Sequence, residues 1–338
     1  MKIKTYLTES FDGMAKGLFA SLIIGVIIKQ IGELTGIPLL SGFGQVAQYL
    51  MGPSIGAGVA IRRKAGTFAT LAAMAAGAVG AGTIAAVDPS AVPLTYKIVV
   101  GEPAGSFIAA LCGIEIGKLL EGRTKFDLLV VPAAVIICGG LVGTTVSPLM
   151  SALLKLIGSV VNEFTLLAPV PMGILLGATV GIVLTSPISS AALCIAVGID
   201  GLAAGAALAG CSAQMIGFAA ASFRENKVSG LLSQGLGTSM IQMPNIIKNP
   251  WLWLPPTVAS AICGLLASSV FRMETNTVGA GMGTSGLVGQ VTTFAVMGGA
   301  RSLLPMLVVH FLTPAAISLF LCEIMRKRGL IKPGDLKL

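Results

Sequence analysis

The sequence predicts an all-α polytopic membrane protein of about ten transmembrane helices with two re-entrant hairpins. Three observations predict it. The 338 residues are 54% hydrophobic and only 11% charged, at a mean hydropathy of +0.91, whereas a soluble domain carries roughly 25% charged residues. Long apolar runs recur, each near the ~20 residues that span a bilayer as a helix. Finally, Gly/Ser/Thr/Pro-rich interruptions lie inside that apolar sequence, foremost at 184–190 and 279–286. Hydrocarbon offers no partner to a freed backbone N–H or C=O, so broken backbone at membrane depth persists only when buried in protein or lining a wet cavity. Paired breaks of this kind are the best sequence pointer to a solute path.

In chain order the spans fall near 16–33, 40–61, 65–86, 101–120, 128–149, 168–186, 202–222, 251–272 and 302–325, with a tenth, shorter element at 188–199. The first follows Lys2 and Lys4 and mimics a signal peptide. No small-x-small cleavage pattern follows it and Lys29 comes next, so it reads as a retained helix. Residues 88–100, with Pro89, Pro93 and Lys97, join two spans on the outer side. Residues 151–167 alternate apolar positions with Lys155, Asn162 and Glu163, the pattern of an amphipathic helix at the outer interface. The segment 229–250 is polar and rich in small residues, and it lies on the inner side. Trp251 and Trp253 then stand where an interfacial anchor belongs. Residues 275–300 are too glycine-rich and polar for a lipid-facing helix and read as re-entrant. The 44 glycines let helices approach closely, and long strand alternation is absent, against an outer-membrane barrel.

The net charge of +8 reflects topology. Basic residues cluster at Lys2/Lys4, 62–64, Lys118/Arg123/Lys125, Arg224/Lys227 and 326–328, each at the end of an apolar run, and cytoplasmic loops collect Lys and Arg. Ten crossings place every cluster, and both termini, inside. No basic surface interleaved with aromatics supports nucleic-acid binding. The six cysteines lie unpaired in apolar segments and read as small buried hydrophobes. No cofactor and no metal cluster is expected, and no nucleophile–base–orienter set is found.

Ionisable residues inside membrane segments mark function by default. Glu102, in Gly101-Glu102-Pro103, sits where a span loosens; it suits two sugar hydroxyls or a proton, and equally a charge at a helix N-terminus. Glu115 lies one turn from Lys118 and is expected to pair with it. Asp200 occupies a turn-like Gly198-Ile199-Asp200-Gly201. His310, the only histidine, fits a proton relay, a substrate hydrogen bond or plain packing. Arg301 reads as an interfacial, snorkelling side chain. The two breaks supply Thr185, Ser186, Ser189, Thr284 and Ser285, neutral groups suited to a polyhydroxylated solute because each ligand hydroxyl both donates and accepts. The alternative is Ser/Thr glue between helices. Gly235-Leu236-Gly237-Thr238-Ser239 also recurs in outline as Gly281-Met282-Gly283-Thr284-Ser285.

Three segments carry a family resemblance: 238–250 (Thr238 to Asn245-Ile246-Ile247-Lys248-Asn249-Pro250), 279–290 and 185–192. Over nearly the whole chain the sequence resembles the membrane component IIC of the phosphoenolpyruvate:sugar phosphotransferase system (PTS), of the glucose-superfamily type. The closest branch includes the perfringolysin O regulatory protein. The resemblance implies a bacterial inner-membrane permease for a sugar or similar small polar solute, working as a homodimer in membrane lipid. It also implies a scaffold and dimerisation half (1–166) and a mobile substrate-binding half with the hairpins (167–338), moving elevator-fashion. Phosphorylation is then supplied by separate IIB and IIA proteins. The residues singled out above, with Asn245 from the resembling segment, make the expected substrate-binding site: Glu102, Thr185, Ser186, Ser189, Asn245, Thr284, Ser285 and His310. Glucose-type relatives carry an acidic residue in a Thr-Glu-Pro context where this chain has Thr185-Ser186-Pro187. That departure opens two further readings, a membrane sensor or regulator uncoupled from phosphotransfer, and an ion-coupled organic anion carrier using Glu102, His310 and Arg301.

Overall fold

The computed structural model describes residues 3–86, 95–123 and 125–338. The chain is 81% helical, and among the described residues six helices are long and apolar enough to cross a membrane. Three shorter apolar helices accompany them, Thr67–Ala81, Pro169–Thr185 and Ser285–Val296. The all-α polytopic class stands. The chain divides into two compact units, Met1–Leu153 and Leu154–Leu338.

In the first unit, α1 (Ile3–Leu18) runs through a π-helical turn, Phe19–Ile23, into α2 (Ile24–Thr35). The span therefore starts well before residue 16, at Thr5. Its charged groups are paired: Asp12 meets Lys16 at 2.9 Å and Arg62 at 2.5 Å. The stretch expected as one span at 40–61 is two helices, α3 (Pro38–Tyr49) and α4 (Met51–Arg62), parted at Leu50. Pro53 explains the break, because its ring has no N–H for the Tyr49 carbonyl and would collide with it. α5 (Thr67–Ala81) leads into a short antiparallel ribbon, β1 (Ile84–Ala86) with β2 (Tyr96–Ile98). Lys97 lies on β2, whereas Pro89 and Pro93 fall outside the described residues. α6 (Pro103–Leu120) follows. Helices approach here through backbone: a Cβ on Gly56 of α4 would lie 2.1 Å from the Ala73 carbonyl oxygen of α5.

α7 (Asp127–Thr165) is a single helix of 39 residues, so the expected span at 128–149 and the expected separate amphipathic helix at 151–167 are continuous. Pro148 fails to stop it. The preceding turn stays helical, with Thr144 and Thr145 hydroxyls donating to the Leu141 and Val142 carbonyls at 2.9 and 2.8 Å. At 1.5 Å per residue the helix is roughly 58 Å long, about twice a hydrocarbon core.

The second unit is built around α10 (Gly201–Ala221). It follows α8 (Pro169–Thr185) and α9 (Ser190–Val197), and its most apolar window is 89% buried inside the protein. Alanine and glycine on every face let neighbours close on it. A Cβ on Gly210 would stand 2.0 Å from the Gly177 carbonyl oxygen of α8. Beyond it come α11 (Phe223–Leu232), α12 (Met243–Lys248) and α13 (Leu254–Leu265), the last lying within the span Pro250–Val270. Two short helices, α14 (Thr277–Ala280) and α15 (Val288–Val296), flank the glycine-rich break. α16 (Leu303–Met306), a π-helical stretch Leu307–Leu312 and α17 (Thr313–Lys327) make the final span.

The chain then folds back, burying Ile331 and Leu336 against Phe218, Ile246 and Leu252. Side-chain amides of Asn226 and Gln242 donate to the Leu336 carbonyl at 2.7 and 3.0 Å. Asn249 binds the Leu330 carbonyl and the Asp335 carboxylate at 2.8 and 2.9 Å. Nη2 of Arg326 donates to both carboxylate oxygens of Glu225, at 2.8 and 3.1 Å. The polar segment 229–250 is thus tied to this tail through Gln242, Asn245 and Asn249.

Candidate functional site

The first break follows from Pro187. Having no N–H, it cannot extend α8, and it pushes its predecessor to extended geometry; Ser186 has φ −75° and ψ 166°. The Ser186 hydroxyl turns back to the Val183 carbonyl at 2.7 Å. Ser189 caps α9 by accepting from the Ala192 N–H at 3.2 Å. In the second break Asn276 caps α14, and the chain then passes through left-handed Gly283, Gly286 and Leu287 (φ +57°, +54° and +58°) before α15 begins. Such geometry costs a leucine about 1–2 kcal/mol, and strain of this kind concentrates at functional sites.

Both breaks meet, and both rest on one stretch of α10. The Ser190 hydroxyl donates to the Gly281 carbonyl at 2.7 Å, and a Cβ on Gly281 would sit 2.4 Å from the Ser190 carbonyl oxygen. Thr185, fully buried, lies 3.1 Å from Gln214 Oε1 and 2.7 Å from the Ser239 hydroxyl. Gln214 gives its amide nitrogen to the Thr257 hydroxyl at 3.1 Å, and Thr257 donates onward to the Trp253 carbonyl. That order leaves the Thr185 proton for Gln214, so Ser239 donates to Thr185. At the next residue of α10, Met215 Sδ lies 3.6 Å from Thr284 Oγ1, which also donates to the Gly235 carbonyl. The two segments whose sequences echo each other therefore touch at Gly235 and Thr284.

Ser285 is 6% exposed and its hydroxyl has no partner among the described residues. His310 is fully buried. Its Nδ1 lies 3.2 Å from Gln290 Nε2 on α15, and Gln290 reaches the Ser212 hydroxyl of α10 at 3.4 Å. Four of the predicted residues, Thr185, Thr284, Ser285 and His310, thus belong to elements that converge on residues 211–215 of α10.

The family model for the phosphotransferase system, EIIC, matches residues 8–338. The chain belongs to the phosphotransferase system EIIC family. Neither a curated protein nor a solved structure matches it. Family and spans together make it a multi-pass, IIC-like membrane permease.

The remaining predicted residues of this EIIC chain lie elsewhere. Asn245 gives its amide to Gln242 Oε1 and to the Lys337 carbonyl, at 2.8 and 2.9 Å, within the network that holds the tail. Glu102 belongs to the first unit. It precedes α6, half-buried, with its N–H on the Ala81 carbonyl at 2.9 Å. Glu115 does not pair with Lys118 as its spacing suggested. Arg63, which caps the C-terminus of α4 and is 7% exposed, bridges Glu115 and Glu9 at 3.1 Å each and stacks over Tyr6, while Lys118 donates to the Arg63 carbonyl. A guanidinium has enough donors to join three helices where a local pair would join none. Asp200 lines an open cavity of about 510 Å³ with Asn162 and Thr165. Arg301 is exposed at the start of its span.

Gln214, Ser212 and Gln290 are functional candidates that neither charge nor membership of a broken segment pointed to. A signal existed, since a glutamine within an apolar helix demands a partner as an ion does.

Proposed function

We propose that this EIIC protein translocates a sugar or similar small polar solute across a bacterial inner membrane by elevator-type displacement of its second unit. Residues 1–166 then serve as scaffold and dimer contact, 167–338 form the transport half, and both termini face the cytoplasm. The breaks at 184–190 and 279–286 act as the tips of re-entrant hairpins, within a set of ten crossings. Phosphorylation of the solute is supplied by separate IIB and IIA proteins. The observation that carries this reading is the convergence of both breaks on Gln214 and Met215 of α10 through neutral hydroxyl and amide groups. Such groups suit a solute whose hydroxyls each donate and accept. Glu102, in the other unit, is assigned to a solute hydroxyl or a proton.

The test is thermal stabilisation of the purified protein by a panel of sugars, sugar alcohols and sugar acids. A stabilising sugar whose effect is lost in Thr284→Val and Thr185→Val supports the assignment. Silence across the whole panel removes it.

One observation favours a second reading, a IIC-like sensor uncoupled from phosphotransfer. Where glucose-type relatives place a carboxylate, this chain has Ser186, whose hydroxyl is committed to the Val183 carbonyl. Deletion of the gene separates the two: altered transcription with solute uptake intact selects the sensor.

A further inference from the structure

The span Ala300–Lys327 carries one ionisable side chain deep inside, His310, and the sequence explains its setting. Pro314 stands four residues on and has no N–H for the His310 carbonyl. The helix widens to a π turn at Leu307–Leu312, a device that re-aims side chains and recurs at functional sites. His310 is thereby set against Gln290 of α15 and, through it, against Ser212 of α10. All three residues are buried, His310 and Ser212 completely.

Two polar atoms of this trio, Gln290 Oε1 and His310 Nε2, have no partner among the described residues. Buried polar groups in proteins are paired in the great majority of cases, and each exception demands an explanation. The placement of hydrogens does not remove the problem. With the amide nitrogen toward His310 Nδ1, the ring proton sits on Nε2. An N–H donor and a carbonyl acceptor are then both unsatisfied. With the amide rotated, its oxygen accepts from Nδ1–H and from Ser212. What remains is a bare Nε2 acceptor and the amide donors. Either way the trio lacks one donor and one acceptor.

We propose that Ser212, Gln290 and His310 form a subsite for hydroxyl groups, filled either by ordered water or by a hydroxyl of the transported solute. The solute arm rests on the transport reading above; the water arm does not. Hydroxyls both donate and accept, so they satisfy either atom under either assignment. A carboxylate or phosphate only accepts, and an ammonium only donates. Each would leave one atom of the trio unsatisfied, so the subsite discriminates against ionic ligands. The absence of an acidic side chain from the trio agrees with a neutral occupant.

The single histidine makes the test direct. Full-length protein labelled with ¹⁵N at histidine, in lipid nanodiscs, gives ring nitrogen signals from His310 alone. The wild-type protein is expected to show one dominant tautomer, with Nε2 shifted as a hydrogen-bonded nitrogen. If glucose and mannitol leave that shift unchanged, the hydroxyl is water. If either moves it saturably, while acetate and methylammonium do not, the hydroxyl belongs to the solute. A bare, unbonded Nε2 with and without polyol overturns the proposal, as does a shift driven by acetate or methylammonium. In Gln290→Met the tautomer preference is expected to weaken, and an unaltered spectrum there also overturns it. Absence of uptake together with a bonded Nε2 removes the transport reading and keeps this subsite. Uptake with a bare Nε2 does the reverse.

Discussion

The junction between the two broken segments gives a prediction whose size follows from its geometry. Gly281 has φ −99°, which any residue adopts, so Gly281→Ala tests close approach and nothing else. The new methyl group would lie 2.4 Å from the Ser190 carbonyl oxygen. Reaching ordinary contact requires the segments to part by roughly 1 Å. That shift stretches the Ser190 hydroxyl bond to Gly281 from 2.7 Å to about 3.7 Å, beyond hydrogen-bonding range. Overpacking costs about 1–3 kcal/mol. Ser190→Ala alone leaves a buried carbonyl unpaired, also about 1–3 kcal/mol. Because the alanine at 281 has already broken the bond, the double variant should match Gly281→Ala to within a few tenths of a kcal/mol, a strong departure from additivity. The buried thiols Cys194, Cys211, Cys263 and Cys322 supply the assay once Cys112 and Cys138 have been blocked. Their labelling rate reports opening of the second unit, and each single variant should raise it roughly 5–150-fold. A wild-type rate for Gly281→Ala, or strict additivity in the double, would refute the reasoning.

Replacing Arg63 by methionine strands two carboxylates that it holds on neighbouring helices. Both are more than a third exposed, so the full cost of breaking a buried pair is discounted to about 1–3 kcal/mol, read as a lowered Tm exceeding that of Glu9→Gln or Glu115→Gln. Leu336→Ala should cost about 2–4 kcal/mol and speed proteolysis within 223–249, because Asn226 and Gln242 both bind that residue's carbonyl; unchanged cleavage there would show the tail to be idle. Thr284→Val keeps volume but strands the Gly235 carbonyl, so the Tm should fall by an amount equivalent to about 1–2 kcal/mol, a loss that Thr284→Ser should largely restore.

The spans were legible because burial in lipid writes itself into composition: nine apolar runs were placed, and most lie within a few residues of a helix. Errors arose where a local rule met a longer-range one. Pro53 stopped a helix within a run that hydropathy read as continuous, while Pro148 did not stop α7. The Glu115–Arg63 pair joins residues 52 apart, and spacing along one helix cannot reveal it. The ribbon at 84–86 and 96–98 and the docking of residues 330–338 involve segments too short for any periodicity. Of the site, the breaks were readable from glycine and proline chemistry. Their common support on α10 was not, because Ser212 and Gln214 carry no charge and sit in a helix whose small residues read as packing.

That neutrality bears on the cargo. Salt bridges of the second unit, Arg326 with Glu225 and Arg224 with Glu323, lie near the ends of helices. The groups that α10 offers to the broken segments are a hydroxyl, an amide and a thioether. A permanently charged solute would meet no counter-charge there, which argues for a neutral polyol over an organic anion, and Arg301 is exposed at the far end of its span. Gln214 tests the point. In Gln214→Met, Thr185 keeps Ser239 and Thr257 keeps Trp253, so the loss should be about 1–2 kcal/mol. Gln214→Glu has nearly the same shape, yet it removes the donor to Thr257 and sets a carboxylate at a position with no solvent exposure. Desolvating that charge costs several kcal/mol. The glutamate variant should therefore unfold at a clearly lower temperature than the methionine variant in the same detergent. A glutamate variant as stable as wild type would mean that this part of α10 is wet or faces a cation, and the case for a neutral solute would fall with it.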